Sequence, residues 1–261
     1  FNIESPAELD RIANTARNLG LKAHISVRVN PNIDAHVDHH VATGLGDSKF
    51  GVKLTDVIAL YQKAAELKEI EIEGISCHIG SLVESTAPYM SEIEVLSVFV
   101  NELLDRGIAL KHFDIGGGAG VAYKADEKTL EPSELIPAVV AQIRSLVKIP
   151  DIEILIEPGR SIIAQAGVLL TRVEYLKSGL FERNFCVVDA SMTELVRPAM
   201  YGSHHEIEPV SPRSDIEAER LNIVGIGCSS WRSARHSHRW RIRHVNGLYI
   251  QFSSAAYGSA R

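Results

Sequence analysis

Cysteine is scarce in this chain: Cys77, Cys186 and Cys228 are the three among 261 residues, widely separated and with no Cys-x-x-Cys pair. That spacing excludes a disulfide framework and favours a reducing compartment, so a cytoplasmic protein is expected. No apolar run approaches the roughly 20 residues that a membrane-spanning helix needs, and the chain opens at Phe1 without a basic leader. A basic excess is also lacking: 27 Lys and Arg against 33 Asp and Glu give a formal charge of -6, which argues against a general nucleic-acid surface. Neither a Walker loop nor a Gly-x-Ser-x-Gly elbow occurs, leaving those routes to nucleotide binding and hydrolysis without support. What is present is 45% hydrophobic residues, enough to bury a substantial core in one large domain or two modest ones.

Short apolar runs alternate with longer amphipathic ones. Phe1-Asn2-Ile3-Glu4 reads as a strand, and because it already looks buried, a preceding segment is expected. Ser5-Pro6-Ala7-Glu8 supplies a helix N-cap, a first-turn proline and a glutamate three residues after the cap. Leu9, Ile12, Ala13, Ala16 and Leu19 follow at helical spacing, and Gly20 is placed to stop the helix. Further strands are expected at 24–29, 70–77, 111–115 and 152–156, and helices at 55–67, 93–106 and 134–147. This is βα repetition about a parallel sheet. Five such strands fall short of the eight of a closed barrel, while an open doubly wound sheet could be complete with them. From Gly167 the rhythm changes to strands without long helices, at 167–175, 185–189 and 221–226, so a β-rich second region is expected from a boundary within 165–180.

Three of the strand ends carry polar or glycine-rich chemistry: Cys77-His78-Ile79-Gly80-Ser81, Asp114-Ile115-Gly116-Gly117-Gly118 and Glu157-Pro158-Gly159-Arg160. In an α/β barrel that end of the strands holds ligands, so the three are expected to converge on one anionic small-molecule site. The triple glycine can let backbone N–H groups approach phosphate oxygens, or it can simply make a tight βα turn. Gly159 admits another close approach, and Arg160 can pair with phosphate or carboxylate. Glu157 can accept a hydrogen bond from a protonated heterocyclic nitrogen, or form a salt bridge at the sheet rim. His78 can stack on a flat ring or be a satisfied interior histidine. In Arg197-Pro198-Ala199-Met200-Tyr201 the guanidinium and phenol suit a carboxylate-bearing substrate, a surface ion pair being the plainer alternative. His36, His39, His40, His204 and His205 form no helical His-x-x-x-His frame and adjoin no cysteine pair. They read as solvated-loop or substrate-gate residues, and no metal is expected.

In order and spacing these motifs resemble the fold-type III pyridoxal-phosphate decarboxylases, and among them the diaminopimelate decarboxylase family. The likeness rests on Phe1 to Ser5, Thr43-Gly44-Leu45 through Lys49-Phe50-Gly51, His78 to Ser81, the triple glycine, Glu157 to Arg160, and Asp189 through Arg197 to Tyr201. It implies a partial TIM (β/α)8 barrel, strands four to eight, over 1–167, then an incomplete β-rich domain over 168–261. Pyridoxal 5'-phosphate is the implied cofactor, with His78 against the pyridine face and Glu157 on its nitrogen. Ser81, Gly116, Gly117, Gly118, Gly159 and Arg160 would surround the phosphate, and Arg160, Arg197 and Tyr201 would meet the substrate. The implied reaction, in the full-length protein, converts meso-2,6-diaminopimelate to L-lysine in a homodimer with shared active sites and no nucleic-acid or membrane partner. Cys228 would return the proton across the dimer, although by composition it reads as a buried small hydrophobe.

Two departures accompany the likeness. The family's Schiff-base lysine belongs to the first barrel strand, and none of Lys22, Lys49, Lys53 or Lys111 matches its motif. The resemblance therefore implies that the N-terminal part of the barrel is lacking here. It is also expected to end near Gly227, because Ser229-Ser230-Trp231-Arg232 stands where the family continues Glu-Ser-Gly-Asp. No acidic residue follows Glu219, and five arginines, three histidines and two tryptophans crowd 229–244. Such interleaving could serve RNA, but an aberrant tail from an altered reading frame is the simpler expectation. The alternative to an enzyme is a catalytically inactive fragment that binds phosphate or a partner chain.

Overall fold

A computed structural model describes residues 1–35, 44, 48–124, 126–180, 184–211, 219–225, 240–242 and 247–251. The chain divides into two compact units, one made of Phe1–Gly120 and Thr129–Ser161, the other of Val121–Lys128 and Ile162–Arg261.

The first unit alternates strand and helix: β1 (Asn2–Ile3), α1 (Pro6–Leu19), β2 (Ala23–Asn30), β3 (Val52–Lys53), α2 (Val57–Ala65), β4 (Ile70–Ser76), α3 (Ala87–Asp105), β5 (His112–Asp114), α4 (Pro132–Leu146) and β6 (Glu153–Leu155). The α1 boundaries follow from local chemistry. Ser5 Oγ accepts the Glu8 N–H at 3.2 Å, and the Glu8 carboxylate reaches back to the Glu4 N–H at 2.7 Å. At the far end Gly20 takes a left-handed φ of 65° and returns its N–H to the Ala16 and Arg17 carbonyls. Leu9, Ala13 and Ala16 line the buried stripe between these caps. Helix α3 starts at Ala87, earlier than its apolar spacing suggests. Pro88 in the first turn is the start signal, and the buried polar residues Glu92 and Ser97 obscure the periodicity that follows.

The sheet order is β1-β2-β4-β5-β6, every pair parallel, with short β3 beside the end of β2. Strand order follows chain order without reversal. Right-handed crossovers taken always in one direction put each helix on the same face, as in a TIM barrel, whereas a doubly wound sheet reverses at a switch point. Ile3, Ile25, Val27, Ile75, Phe113 and Ile115 form the centre of the core, none more than 1% exposed, and each such side chain contributes about 1.5–3 kcal/mol of burial. Tyr61 is buried among them and donates its hydroxyl to the Gly74 carbonyl at 2.7 Å.

Helix α5 (Arg160–Ile163) precedes the strand-rich part: β7 (Val168–Lys177), β8 (Phe185–Val188), α6 (Arg197–Tyr201), β9 (Ile207–Pro209), β10 (Glu219–Gly225), β11 (Trp240–Ile242) and β12 (Gly247–Gln251). They form a mixed sheet ordered β11-β10-β8-β7-β12-β9, in which only β8 and β10 pair in parallel. Cys186, Val188, Ala190, Leu221 and Ile223 make its small core. Strands β11 and β12 fall inside the segment expected to be aberrant, yet β11 pairs with β10 and β12 lies between β7 and β9. Ladder hydrogen bonds are made by backbone groups that every non-proline residue carries, so an arginine-rich composition does not prevent pairing. Among the described residues no helix is long and apolar enough to cross a membrane.

Candidate functional site

Strands β4, β5 and β6 lie side by side, with Ser76 opposite Asp114 and Asp114 opposite Leu155. Two residues beyond each of these aligned positions stand His78, Gly116 and Glu157. Register alone therefore brings the three expected motifs to one level at the C-terminal edge. The ladder runs on into the loops: Cys77 N–H donates to the Asp114 carbonyl at 3.1 Å, Ile115 N–H to Leu155 at 3.1 Å, and Glu157 N–H to Gly116 at 2.7 Å.

Backbone packing explains the triple glycine. A Cβ on Gly117 would stand 2.0 Å from the Glu157 carbonyl oxygen, and one on Gly118 would stand 2.0 Å from that of Gly80. The Gly116 amide donates to Asp114 Oδ1 at 2.8 Å and the Gly117 amide to His78 Nδ1 at 3.2 Å. Tyr89 Oη donates to the Gly117 carbonyl at 3.0 Å, holding the turn from α3. The next amide, that of half-buried Gly118, is taken by no group among the described residues. Ser81 is half-buried at the end of the His78 loop, and Leu82 after it holds a left-handed φ of 66°, a strain of about 1–2 kcal/mol for a non-glycine residue. Gly159 differs from the triple glycine: a Cβ there would meet nothing within 4 Å, so packing does not demand the residue. Arg160, half-buried, opens α5.

Burial, and then the charge of Arg28, lower the His78 pKa below the usual histidine value, so the ring is neutral at pH 7. Because Nδ1 accepts from Gly117, the ring proton sits on Nε2. The Glu157 pKa moves the other way. Although the residue as a whole is exposed, burial of its carboxyl is the first cause of a rise, the negative charge of Asp114 the second, and Arg28 opposes both. Arg28 rises from β2, donates to Glu4 Oε1 at 2.7 Å and stands 5.0 Å from the Phe50 ring centroid. Glu92 is fully buried on α3. Neither of its oxygens makes a well-formed hydrogen bond, although the Cys77 thiol interacts with the carboxyl. Burial and the Asp114 charge push the Glu92 pKa well above the carboxylate range, and burial likewise raises the Cys77 thiol.

These groups fit an anionic, flat heterocycle. A turn amide without a partner and open space at Gly159 suit phosphate oxygens, a neutral imidazole suits a ring face, and a carboxyl with a raised pKa is returned to its charged form by a protonated nitrogen.

In the second unit, α6 presents Arg197 and Tyr201. The Arg197 guanidinium carbon lies 5.2 Å from the Tyr123 ring centroid and 5.4 Å from that of Tyr201, and Nη2 donates to Ser203 Oγ at 3.0 Å. Among the described residues, Arg197 Nε is buried without a hydrogen-bond partner. The ion pair weighed as an alternative for Arg197 is not formed among the described residues. His205 is only 4% exposed and meets Tyr123 edge-on, with centroids 5.6 Å apart at 89°. His204 pairs with Glu206 at 3.0 Å. Neither is a solvated-loop histidine as the sequence suggests, because the chain after α6 turns both into packed surroundings.

His36, His39, His40 and Cys228 lie outside the described residues. At the N-terminal ends of β2 and β4, His24, Glu71 and Glu73 bring ligand-type atoms within 4.8 Å of one another, but Lys111 Nζ already sits 2.7 Å from Glu71 and 2.9 Å from Glu73 and supplies the cation. Sequence reading missed four residues here: Arg28, Glu92, Asp114 as a side chain, and Tyr123. Asp114 was detectable from its place two residues before the triple glycine, and Tyr123 from its place five residues after it. Arg28 and Glu92 carry no local signal.

A singly wound parallel sheet with such chemistry at its C-terminal edge defines a TIM-barrel-like protein that holds its ligand in the loops after the strands. Residues 1–164 match the pyridoxal-binding domain of the pyridoxal-dependent decarboxylases, and the chain belongs to that family, whose cofactor is the one expected from the sequence. It is 41% identical over 258 residues to diaminopimelate decarboxylase of Pseudomonas aeruginosa, covering 99% of this chain and 60% of the relative. With the Haemophilus influenzae enzyme it shares 38% identity over 261 residues, covering 100% of this chain and 61% of the relative. The crystal structure of diaminopimelate decarboxylase from Helicobacter pylori complexed with L-lysine superposes with a TM-score of 0.85 at 31% identity, over 97% of this chain and 63% of that one. The chain thus spans about 60% of the length of the curated relatives it matches. These matches correct the expectation that the family likeness gives way to an aberrant tail. The likeness runs over 100% of the chain in the Haemophilus comparison, through Cys228 and the arginine-rich segment, and does not stop near Gly227.

Proposed function

We propose that the full-length protein to which this chain belongs is a diaminopimelate decarboxylase, removing one carboxylate of meso-2,6-diaminopimelate to give L-lysine. The observation that carries the reading is the register that sets His78, Gly116 and Glu157 at one level across β4, β5 and β6, in a chain whose relatives bear that name. On this reading the parallel strands are the fourth to eighth of a (β/α)8 barrel. Residues 1–167 hold pyridoxal phosphate and 168–261 form the β-rich domain. The protein acts in the cytoplasm as a homodimer on a diamino dicarboxylate.

When bound, the cofactor supplies a protonated ring that withdraws the electron pair left by the departing carboxylate. Glu157 holds the proton at the ring nitrogen, its own rise in pKa cancelled by that positive charge. His78, neutral and fixed by Gly117, packs on the ring face without adding charge. Ser81, the Gly118 amide, the open backbone at Gly159 and the Arg160 guanidinium bind phosphate oxygens, while Gly116 and Gly117 shape the turn that aims them. Arg160, Arg197 and Tyr201 bind the substrate, and Cys228 returns a proton to the carbon that has lost its carboxylate.

The test is L-lysine formation from meso-2,6-diaminopimelate with added pyridoxal phosphate, followed by chromatography. Glu157→Ala is expected to lower kcat by roughly 100-fold or more, the size typical of a lost transition-state charge contact. No lysine from the unaltered protein, or undiminished turnover in the variant, refutes the proposal.

A further inference from the structure

Arg197 has an unusual set of neighbours for a part-buried cation. Among the described residues its only side-chain hydrogen bond is to the neutral Ser203 hydroxyl, and its Nε is buried without a partner. Two aromatic rings, of Tyr123 and Tyr201, stand within the roughly 6 Å over which a ring face attracts a cation. The rings offset part of the cost of burial, but unlike a carboxylate they leave the positive charge of the guanidinium uncancelled, to be met by an incoming anion.

Tyr123 is itself fixed from two sides. The buried His205 ring meets it edge-on at 5.6 Å, and the Glu127 carboxylate accepts both the Tyr123 and Lys124 backbone N–H groups. A ring held by its edge and its backbone has little freedom to swing away from the guanidinium it faces. Tyr123 comes from the segment Val121–Lys128 and Arg197 from α6, so chain folding alone brings them together.

We infer that Tyr123 is a positioning residue for substrate recognition, holding the Arg197 guanidinium so that its uncancelled charge meets a substrate carboxylate. The inference rests on the reading of Arg197 as a carboxylate-binding residue. It requires the ring, not the hydroxyl, so Tyr123→Phe should keep the function that Tyr123→Leu loses.

The experiment measures calorimetric binding of two probes to the cofactor-loaded protein: L-lysine, which keeps one carboxylate of the substrate, and cadaverine, which has none. Tyr123→Leu is expected to weaken L-lysine binding about tenfold, within the range of a part-desolvated cation–ring contact, and to leave cadaverine binding unchanged. KM for meso-2,6-diaminopimelate should rise by a similar factor with kcat within about twofold, and Tyr123→Phe should match the unaltered protein. If Tyr123→Leu does not fold, Tyr123→Met, which fills the space without an aromatic face, is judged by the same outcomes. Unchanged L-lysine binding in a ringless variant, or an equal loss for both probes, overturns the inference. Arg197→Met separates the two levels: if it also binds L-lysine normally, the reading of Arg197 itself has failed.

Discussion

Replacing Glu92 by glutamine should remove a pH dependence of stability that the unaltered protein carries. Folded, the Glu92 carboxyl is fully buried beside the charge of Asp114 and titrates well above 4.5, its value when free in water. At a pH between those two values the folded chain retains a proton that the unfolded chain has released. Fewer protons bound on unfolding mean that stability falls as pH rises through this window, by about 1.4 kcal/mol for each pH unit. Below the window both states are protonated and the effect vanishes; above it both are ionised and the full loss is present. Glutamine has nearly the same shape and no proton to lose. The advantage of Glu92→Gln should therefore grow from near zero at about pH 4.5 by about 1.4 kcal/mol per unit. Urea unfolding followed by far-ultraviolet circular dichroism at about pH 5, 6 and 7, with m-values compared to check that both proteins expose the same surface, measures that slope. Glu92→Leu should be more stable still, because it also removes a buried polar group without a well-formed hydrogen bond, worth about 1–3 kcal/mol. A difference between the glutamine variant and the unaltered protein that stays constant across this range would refute the reasoning, since Glu92 would then have a charged partner or water in the folded state.

The glycines offer a paired contrast: Gly117→Ala must push against the Glu157 carbonyl at 2.0 Å and should cost roughly 2 kcal/mol or more of unfolding free energy, whereas Gly159→Ala meets nothing and should stay within about 0.5 kcal/mol while weakening pyridoxal-phosphate binding measured by absorbance titration. Equal stability losses in the two variants would show that the close backbone approach does not govern the turn. His78 should titrate below 6.5 when its ring protons are followed by nuclear magnetic resonance. Since the unfolded chain takes up that proton first, stability should fall as pH drops from 6.5 toward the folded value, and His78→Gln should lack this slope. A midpoint at or above 6.5 would refute it.

Much of this molecule was legible in the order of its residues. Helix α1 was readable from Ser5 to Gly20 because caps and an apolar stripe are local, each made by residues a turn apart. The strands β2, β4, β5 and β6 were readable for the same reason, as was the clustering of chemistry just after them. The early start of α3 was hidden by Glu92 and Ser97, whose burial is decided by what packs over the helix and not by the helix itself. The two tail strands β11 and β12 were hidden because pairing depends on finding a partner edge, and composition does not announce one.

The sequence by itself determined which segments are strands and helices and which loops carry imidazole, glycine and carboxylate, since those features depend on neighbours along the chain. Only the tertiary structure decided that Ser76, Asp114 and Leu155 align so that His78, Gly116 and Glu157 share a level, that Gly117 must be glycine because Glu157 passes 2.0 Å from where a Cβ would be, and that Tyr123 faces Arg197. Each of these is a distance between residues far apart in the chain, set by sheet register and packing.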